Sequence, residues 1–147
     1  MLPLIAGLVE HLKPVYAQSG IELQYRCPSG SWPVEPDLLR SVLVNLIDNA
    51  RKALEQGGNI YIVCEFAEGQ CRLRVLDNGR GMPPEAIEHL TEAFYRVDKA
   101  RARAQGGVGL GLTLCNEIAV LHGGWLEFES RVGGGTCVTV VLKGGAA

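Results

Sequence analysis

Wound as a helix at ~100° per residue, the stretch DLLRSVLVNLIDNARKAL at positions 37–54 lines up Ser41, Asn45, Asn49 and Lys52 on one side. Leu39, Leu43, Leu46, Ile47, Ala50 and Leu54 form a separate apolar sector, with Val42 at its border. Arg40, Asp48, Arg51 and Glu55 make an ordinary solvated face. An amphipathic surface helix needs only two sectors, apolar and solvated. Asparagine is also a poor residue for a helix interior. Either the two amides sit on the surface by chance, or the third stripe looks into a ligand cleft.

Two further stretches carry chemistry. In DNGRGMP, Asp77 ends a strand-like run, and Gly79 and Gly81 follow it. An ordinary Asp–Gly turn is one reading. The other is a carboxylate that accepts a hydrogen bond from the exocyclic amino group of adenine, where guanine carries a repelling carbonyl. Such a bond contributes about 1.5–3 kcal/mol, and the glycines would let backbone approach a flat base. The second stretch, Gly106-Gly107-Val108-Gly109-Leu110-Gly111-Leu112, runs straight into a helical segment. Backbone N–H groups at a helix start suit an anion. A flexible linker would be interleaved with serine. There is no Gly-Lys-Ser/Thr ending, so the common phosphate loop is excluded. Between the two lies a basic segment with Phe94, Tyr95, Arg96, Lys99, Arg101 and Arg103, placed to close as a lid over a triphosphate.

The elements that must position these groups follow from the pattern. Residues 2–17 have helical spacing through Leu4, Ile5, Leu8, Val9, Leu12 and Val15, with Glu10 and His11 interrupting any signal-like core. Residues 21–25 alternate as a strand, 28–36 form a loop, and Pro36 suits the first turn of the central helix. Gly57-Gly58 ends that helix, and runs 60–66 and 71–76 make a hairpin. Residues 84–90 can form a short helix and 112–121 a longer one, closed by His122-Gly123-Gly124. A histidine there is favoured by the helix dipole rather than marked as a phosphoacceptor. Strands 125–129 and 136–142 follow, then a loose tail. The expected fold is α+β: a two-layer sandwich with helices over one face of a mixed, mostly antiparallel sheet. The length, 147 residues, fits one domain, 1–147.

Composition excludes other classes. The content of 47% hydrophobic and 20% charged residues is that of a globular chain. A net charge of -2 gives no pull toward nucleic acid or acidic lipid. No apolar run reaches the ~20 residues of a membrane span. Cys27, Cys64, Cys71, Cys115 and Cys137 are odd in number and never in a CxxC pair, which argues for packing thiols in a reducing cytoplasm.

In this order the stretches resemble the boxes of the catalytic, ATP-binding domain of bacterial sensor histidine kinases, in the GHKL superfamily with its Bergerat fold. NLIDNARKA is similar to the N box, DNGRGMP to the first glycine box, FYRVDKAR to the F box and GVGLGL to the second glycine box. Gly133-Gly134-Gly135-Thr136 is similar to the C-terminal Gly-Thr element. The resemblance covers nearly the whole chain. It implies ATP and Mg²⁺ as cofactors, with Asn49 as the metal ligand through its side-chain oxygen. Asn45, Lys52 and Arg96 would serve the phosphates during transfer. Asp77, Gly79, Gly81, Tyr95 and Thr136 would form the base site, and Gly107, Gly109, Leu110 and Gly111 the hinged loop beneath the phosphates.

One departure matters. ATP-hydrolysing relatives carry a glutamate one turn before the metal asparagine, as a general base. Here that place holds Asn45, an amide that takes no proton, and Asp48 and Glu55 sit on the solvated sector. The resemblance therefore implies slow turnover alone and phosphoryl transfer to a histidine on a separate dimerisation hairpin, absent from this chain. A response regulator would act downstream. The domain itself would be monomeric, cytoplasmic, and free of nucleic acid or membrane insertion, within a parent that can be anchored to the inner membrane. A self-sufficient ATPase and a non-catalytic nucleotide-binding module are the alternatives.

Overall fold

The computed structural model describes residues 2–28, 30, 32, 34–54, 57–81 and 108–143. Three helices, α1 (Leu2–Ala17), α2 (Pro36–Ala53) and α3 (Val108–Leu121), accompany five strands in the described residues. The strands are β1 (Ile21–Arg26), β2 (Gly58–Ala67), β3 (Gln70–Asp77), β4 (Trp125–Arg131) and β5 (Gly135–Lys143). They form one sheet in the order β1-β2-β3-β5-β4. β1 runs parallel to β2 and every other pair is antiparallel. The expected mixed, mostly antiparallel sheet under one helical layer is the architecture found.

Local chemistry explains the elements. At the start of α2 the Glu35 carboxylate accepts the Asp37 N–H at 3.0 Å, and Pro36 occupies the first turn, where its missing N–H costs little. β2 and β3 meet across a two-residue turn, Glu68-Gly69, with φ of 49° and 75°. Two positive φ values are the signature of the tight hairpin turn whose twist matches the strands. α3 ends in a hydrogen-bond pair that satisfies its last carbonyls: Gly123 N–H donates to Val120 and Gly124 N–H to Ala119. Gly123 supplies the left-handed φ of 72° that this ending requires.

The core lies between the helices and the inner sheet face. The whole apolar sector expected of α2, Leu39, Leu43, Leu46, Ile47, Ala50 and Leu54, is buried, and Val42 joins it. Against it pack Ile60, Ile62, Leu73, Val75, Val138 and Val140 from the sheet and Leu112, Cys115 and Ile118 from α3. α1 contributes Ile5 and Val9, while Val15, expected on the apolar face, is 57% exposed. In that last turn, which holds Pro14, it is Tyr16 that packs against the core. The outer sheet face carries ion pairs instead, Arg72–Glu127 at 2.5 Å and Arg74–Glu65 at 2.6 Å.

The second difference from the sequence reading concerns α3. It begins at Val108 rather than at 112, so Gly109 and Gly111 lie within its first turn. Glu55, the 84–90 segment, the basic stretch, Gly106, Gly107 and the tail lie outside the described residues.

Candidate functional site

Ser41, Asn45 and Asn49 are each partly exposed, so the uncharged stripe of α2 is turned away from the apolar interior. The Asn45 amide donates to the Ser41 carbonyl at 2.7 Å, which commits one of its N–H groups to the helix itself. Lys52, expected on the same stripe, reaches round to Asp48 at 3.4 Å. Asp48 also accepts from Arg51 Nη2 at 2.7 Å and Nε at 3.0 Å. Burial pushes the Asp48 carboxyl up, but Arg51 and then Lys52 outweigh it and hold the group below the usual carboxylate range.

Asp77 ends β3, directly opposite Thr136 of β5. Its Oδ1 accepts the Gly79 N–H at 2.8 Å, and the Thr136 backbone N–H reaches the same carboxylate. Burial raises its pKa, and those two N–H groups pull in the other direction without cancelling the rise. Thr136 is buried, with Oγ1 2.8 Å from Ser130 Oγ. Ser130 Oγ is also placed to donate to the Gly135 carbonyl at 3.1 Å. A cavity of about 540 Å³ opens around these strand ends, lined by Asp77, Ser130, Arg131, Gly135 and Thr136 among others. Its size suits a small ligand. A second cavity of about 610 Å³, between α1 and β1, contains none of these groups.

The glycines of the Asp77 turn answer first to neighbouring backbone. A Cβ on Gly79 would meet the Ala53 carbonyl at the end of α2 at 2.5 Å. Gly81, at φ 73°, would run into the Arg131 carbonyl. The Arg80 N–H reaches Ala53 O at 3.4 Å, and the Gly133 N–H donates to Arg80 O at 2.7 Å. Asn78 fastens the other side, accepting the Asn59 N–H at 2.8 Å. The turn is thereby clamped between α2 and the β4–β5 connection. Ala53 lies one turn beyond Asn49 on the same helix, so the amide stripe and the Asp77 carboxylate share one end of the molecule.

Sequence reading missed Asn78 and Ser130. The signal for Ser130 was its place opposite Thr136 in a hairpin, which is visible only once that register is known. Gly109, Leu110 and Gly111 fall in the first turn of α3, whose opening N–H groups have no intrahelical partner. One turn further on, Cys115 Sγ donates to the Val42 carbonyl at 3.7 Å, itself one turn before Asn45. His122 Nδ1 donates to the Ile118 carbonyl at 2.8 Å, a helix-end contact. Tyr95, Arg96, Lys99, Arg101, Arg103 and Gly107 lie outside the described residues.

The donor set fits a nucleotide and a hard divalent ion. Asn49 offers an uncharged oxygen at the helix surface, and Mg²⁺ takes few protein ligands while keeping waters and substrate phosphates. Asp77 offers an acceptor already oriented by two N–H groups.

Residues 34–145 match the profile of the family described as histidine kinase-, DNA gyrase B- and HSP90-like ATPase. The sensor protein SrrB of Staphylococcus aureus strain NCTC 8325 is 36% identical over 144 residues, an alignment spanning 95% of this chain and 24% of SrrB. The chain thus spans about a quarter of the length of the curated relatives it matches. The mycobacterial sensor histidine kinase MprB superposes at a TM-score of 0.76 with 25% identity, over 98% of this chain and 94% of that one. Full-length ShkA, in complex with AMPPNP, gives 0.77 with 26% identity, over 99% of this chain and 30% of that one. The catalytic domain of histidine kinase ThkA gives 0.79 at 24% identity, over 98% and 92%, a likeness of fold.

Proposed function

The chain belongs to the histidine kinase-, DNA gyrase B- and HSP90-like ATPase family, and on that basis we propose that it is the catalytic domain of a sensor histidine kinase, binding Mg-ATP and giving up the γ-phosphoryl group to a histidine. The observation that carries this reading is the clamped turn after β3. It fixes the half-buried Asp77 carboxylate beside Thr136 and ties it, through Gly79 and Ala53, to the helix bearing Asn45 and Asn49.

In this reading Asp77 accepts the exocyclic amino group of adenine, and Thr136 supports the carboxylate through its backbone N–H. Asn49 holds the metal ion, and bound Mg²⁺ supplies charge neutralisation across the phosphates. Lys52 exchanges its contact with Asp48 for a phosphate oxygen, and Arg96 reaches the γ-phosphate from the basic segment. Gly107 and the first turn of α3, with Gly109, Leu110 and Gly111, present N–H groups to the phosphates. Tyr95 packs near the purine. Phosphoryl transfer asks for positioning and charge compensation more than for covalent help.

Asn45 decides between transfer and hydrolysis. One of its amide N–H groups donates to the Ser41 carbonyl, and the group takes no proton. A self-sufficient ATPase would need a base there. The acceptor imidazole, on a dimerisation hairpin of the same kinase, is its own nucleophile. The domain is read as a single unit, 1–147, monomeric and cytoplasmic, feeding a response regulator.

The test mixes the domain with γ-labelled ATP, Mg²⁺ and the cognate hairpin. An acid-labile, base-stable label on the hairpin is expected, with slow phosphate release by the domain alone. Rapid steady-state release without the hairpin would favour the ATPase reading. Absence of nucleotide binding in calorimetry would leave only an interaction module.

A further inference from the structure

The end of the sheet away from Asp77 holds three thiols in a row. β1 and β2 are parallel and their last paired residues are Arg26 and Val63, so Cys27 comes next, beside Cys64. Side chains alternate along a strand. Cys27, two residues beyond Tyr25, and Cys64, two beyond Ile62, therefore fall on the same helix-facing side, where both pack with the core. Cys71 of β3 completes the row, its Sγ 3.8 Å from that of Cys64. None of the chain's five cysteines is in a disulfide.

Register separates the two possible bridges. Cys64 is opposite Leu73, and Cys71 is opposite Phe66, so Cys64 and Cys71 are diagonal neighbours across an antiparallel pair. Diagonal positions lie roughly 7–8 Å apart, at or beyond the ~7 Å Cα separation a disulfide tolerates. Adjacent residues on neighbouring strands are about 5 Å apart, within the disulfide range. Access also differs. Cys27 is partly exposed, whereas Cys64 and Cys71 are buried.

We propose that Cys27 and Cys64 are a redox-active pair, oxidised by a hydroperoxide to a disulfide that fastens the end of β1 to β2. Cys27 sulfur, deprotonated, attacks the peroxide O–O bond, giving a Cys27 sulfenic acid and releasing an alcohol, or water where the oxidant is hydrogen peroxide. Cys64 sulfur then attacks the sulfenic sulfur, and the hydroxyl leaves as water with the Cys64 proton. In sum, two thiols and one hydroperoxide give one disulfide, one water and one alcohol, or a second water in place of the alcohol from hydrogen peroxide. Burial, and then the neighbouring Cys64, push the Cys27 thiol up to about 12. The thiolate is the reacting species, so oxidation of the pair should speed up as the pH rises. Its segment leads directly to the Glu35 cap of α2, which makes the bridge a brace on the approach to the amide-bearing helix.

The folded domain is exposed to hydrogen peroxide, quenched by alkylation under denaturing conditions, and digested with trypsin and a glutamate-specific protease. Cleavage after Glu65 separates Cys64 from Cys71. The expected product is a peptide linking Cys27 to Cys64, retained in Cys71→Ser and Cys137→Ser and lost in Cys27→Ser. Loss is read independently in Cys64→Ala, so a folding defect in one variant leaves the other to decide. A predominant Cys64–Cys71 link, Cys27 sulfinic acid without any link, or equal linking in urea-unfolded protein would each overturn the proposal.

Discussion

Asp77 combines two opposed requirements. Its carboxylate is half-buried, which raises its pKa, yet it is held by two backbone N–H groups as an acceptor. A folded-state pKa above the unfolded value of about 3.9 means that the folded chain binds the proton more tightly. Stability from this group therefore falls as pH rises from the unfolded value through the folded one, and the cost is fully present at neutral pH. Asp77→Asn removes that cost while its amide oxygen can still accept from Gly79. The variant should melt at or above the wild-type temperature at pH 7, with the difference shrinking on acidification. In calorimetry the same variant should lose about 10- to 100-fold in ATP affinity. A variant less stable than the wild type at pH 7, or a difference that grows on acidification, would contradict the burial account, and unchanged affinity would remove the base-reading role. Gly135, at φ 87° with its missing Cβ aimed at the Asp77 carbonyl, is a second residue-scale test. Gly135→Ala should cost about 1–3 kcal/mol in urea unfolding. Sequence reading found these glycines but attributed the pair after Asp77 to a base. The crowding comes from Ala53 and Arg131, which are distant in the chain and invisible to local pattern.

At the scale of elements, periodicity was a good guide wherever one face is buried. The apolar sector of α2 survives in the fold because its residues repeat with the helical period and pack into the core. Leu46→Ala should accordingly cost about 2–5 kcal/mol. Val44→Ala, at a 41% exposed position of the same helix, should stay within about 0.5 kcal/mol. Comparable losses at both sites in chemical unfolding would invalidate the sector assignment. Periodicity failed at the start of α3. Glycine lowers local helix preference by about 1 kcal/mol, so the pattern put the start at 112, whereas packing of Leu112 and Cys115 against the core carries the helix back to Val108. The Asp48–Lys52 contact was also illegible, because a lysine one turn away can reach either of two neighbouring sectors.

At the scale of the molecule, the sequence indicated an α+β sandwich and two hairpins but not the strand order. Placing β5 between β3 and β4 is a long-range choice, and it is what sets Thr136 against Asp77. No local motif encodes that meeting. The same topology sends β3 away from its hairpin turn for eight residues before reaching Asp77, roughly 25 Å at the rise of an extended strand. The turn itself, Glu68-Gly69, is open, with nothing within 4 Å of where a Gly69 side chain would start. That makes it a natural port for engineering: a fluorophore or short epitope spliced between Glu68 and Gly69 would ride at the far pole of the sheet, on the side of the thiols, and follow the domain at a distance from the Asp77 end.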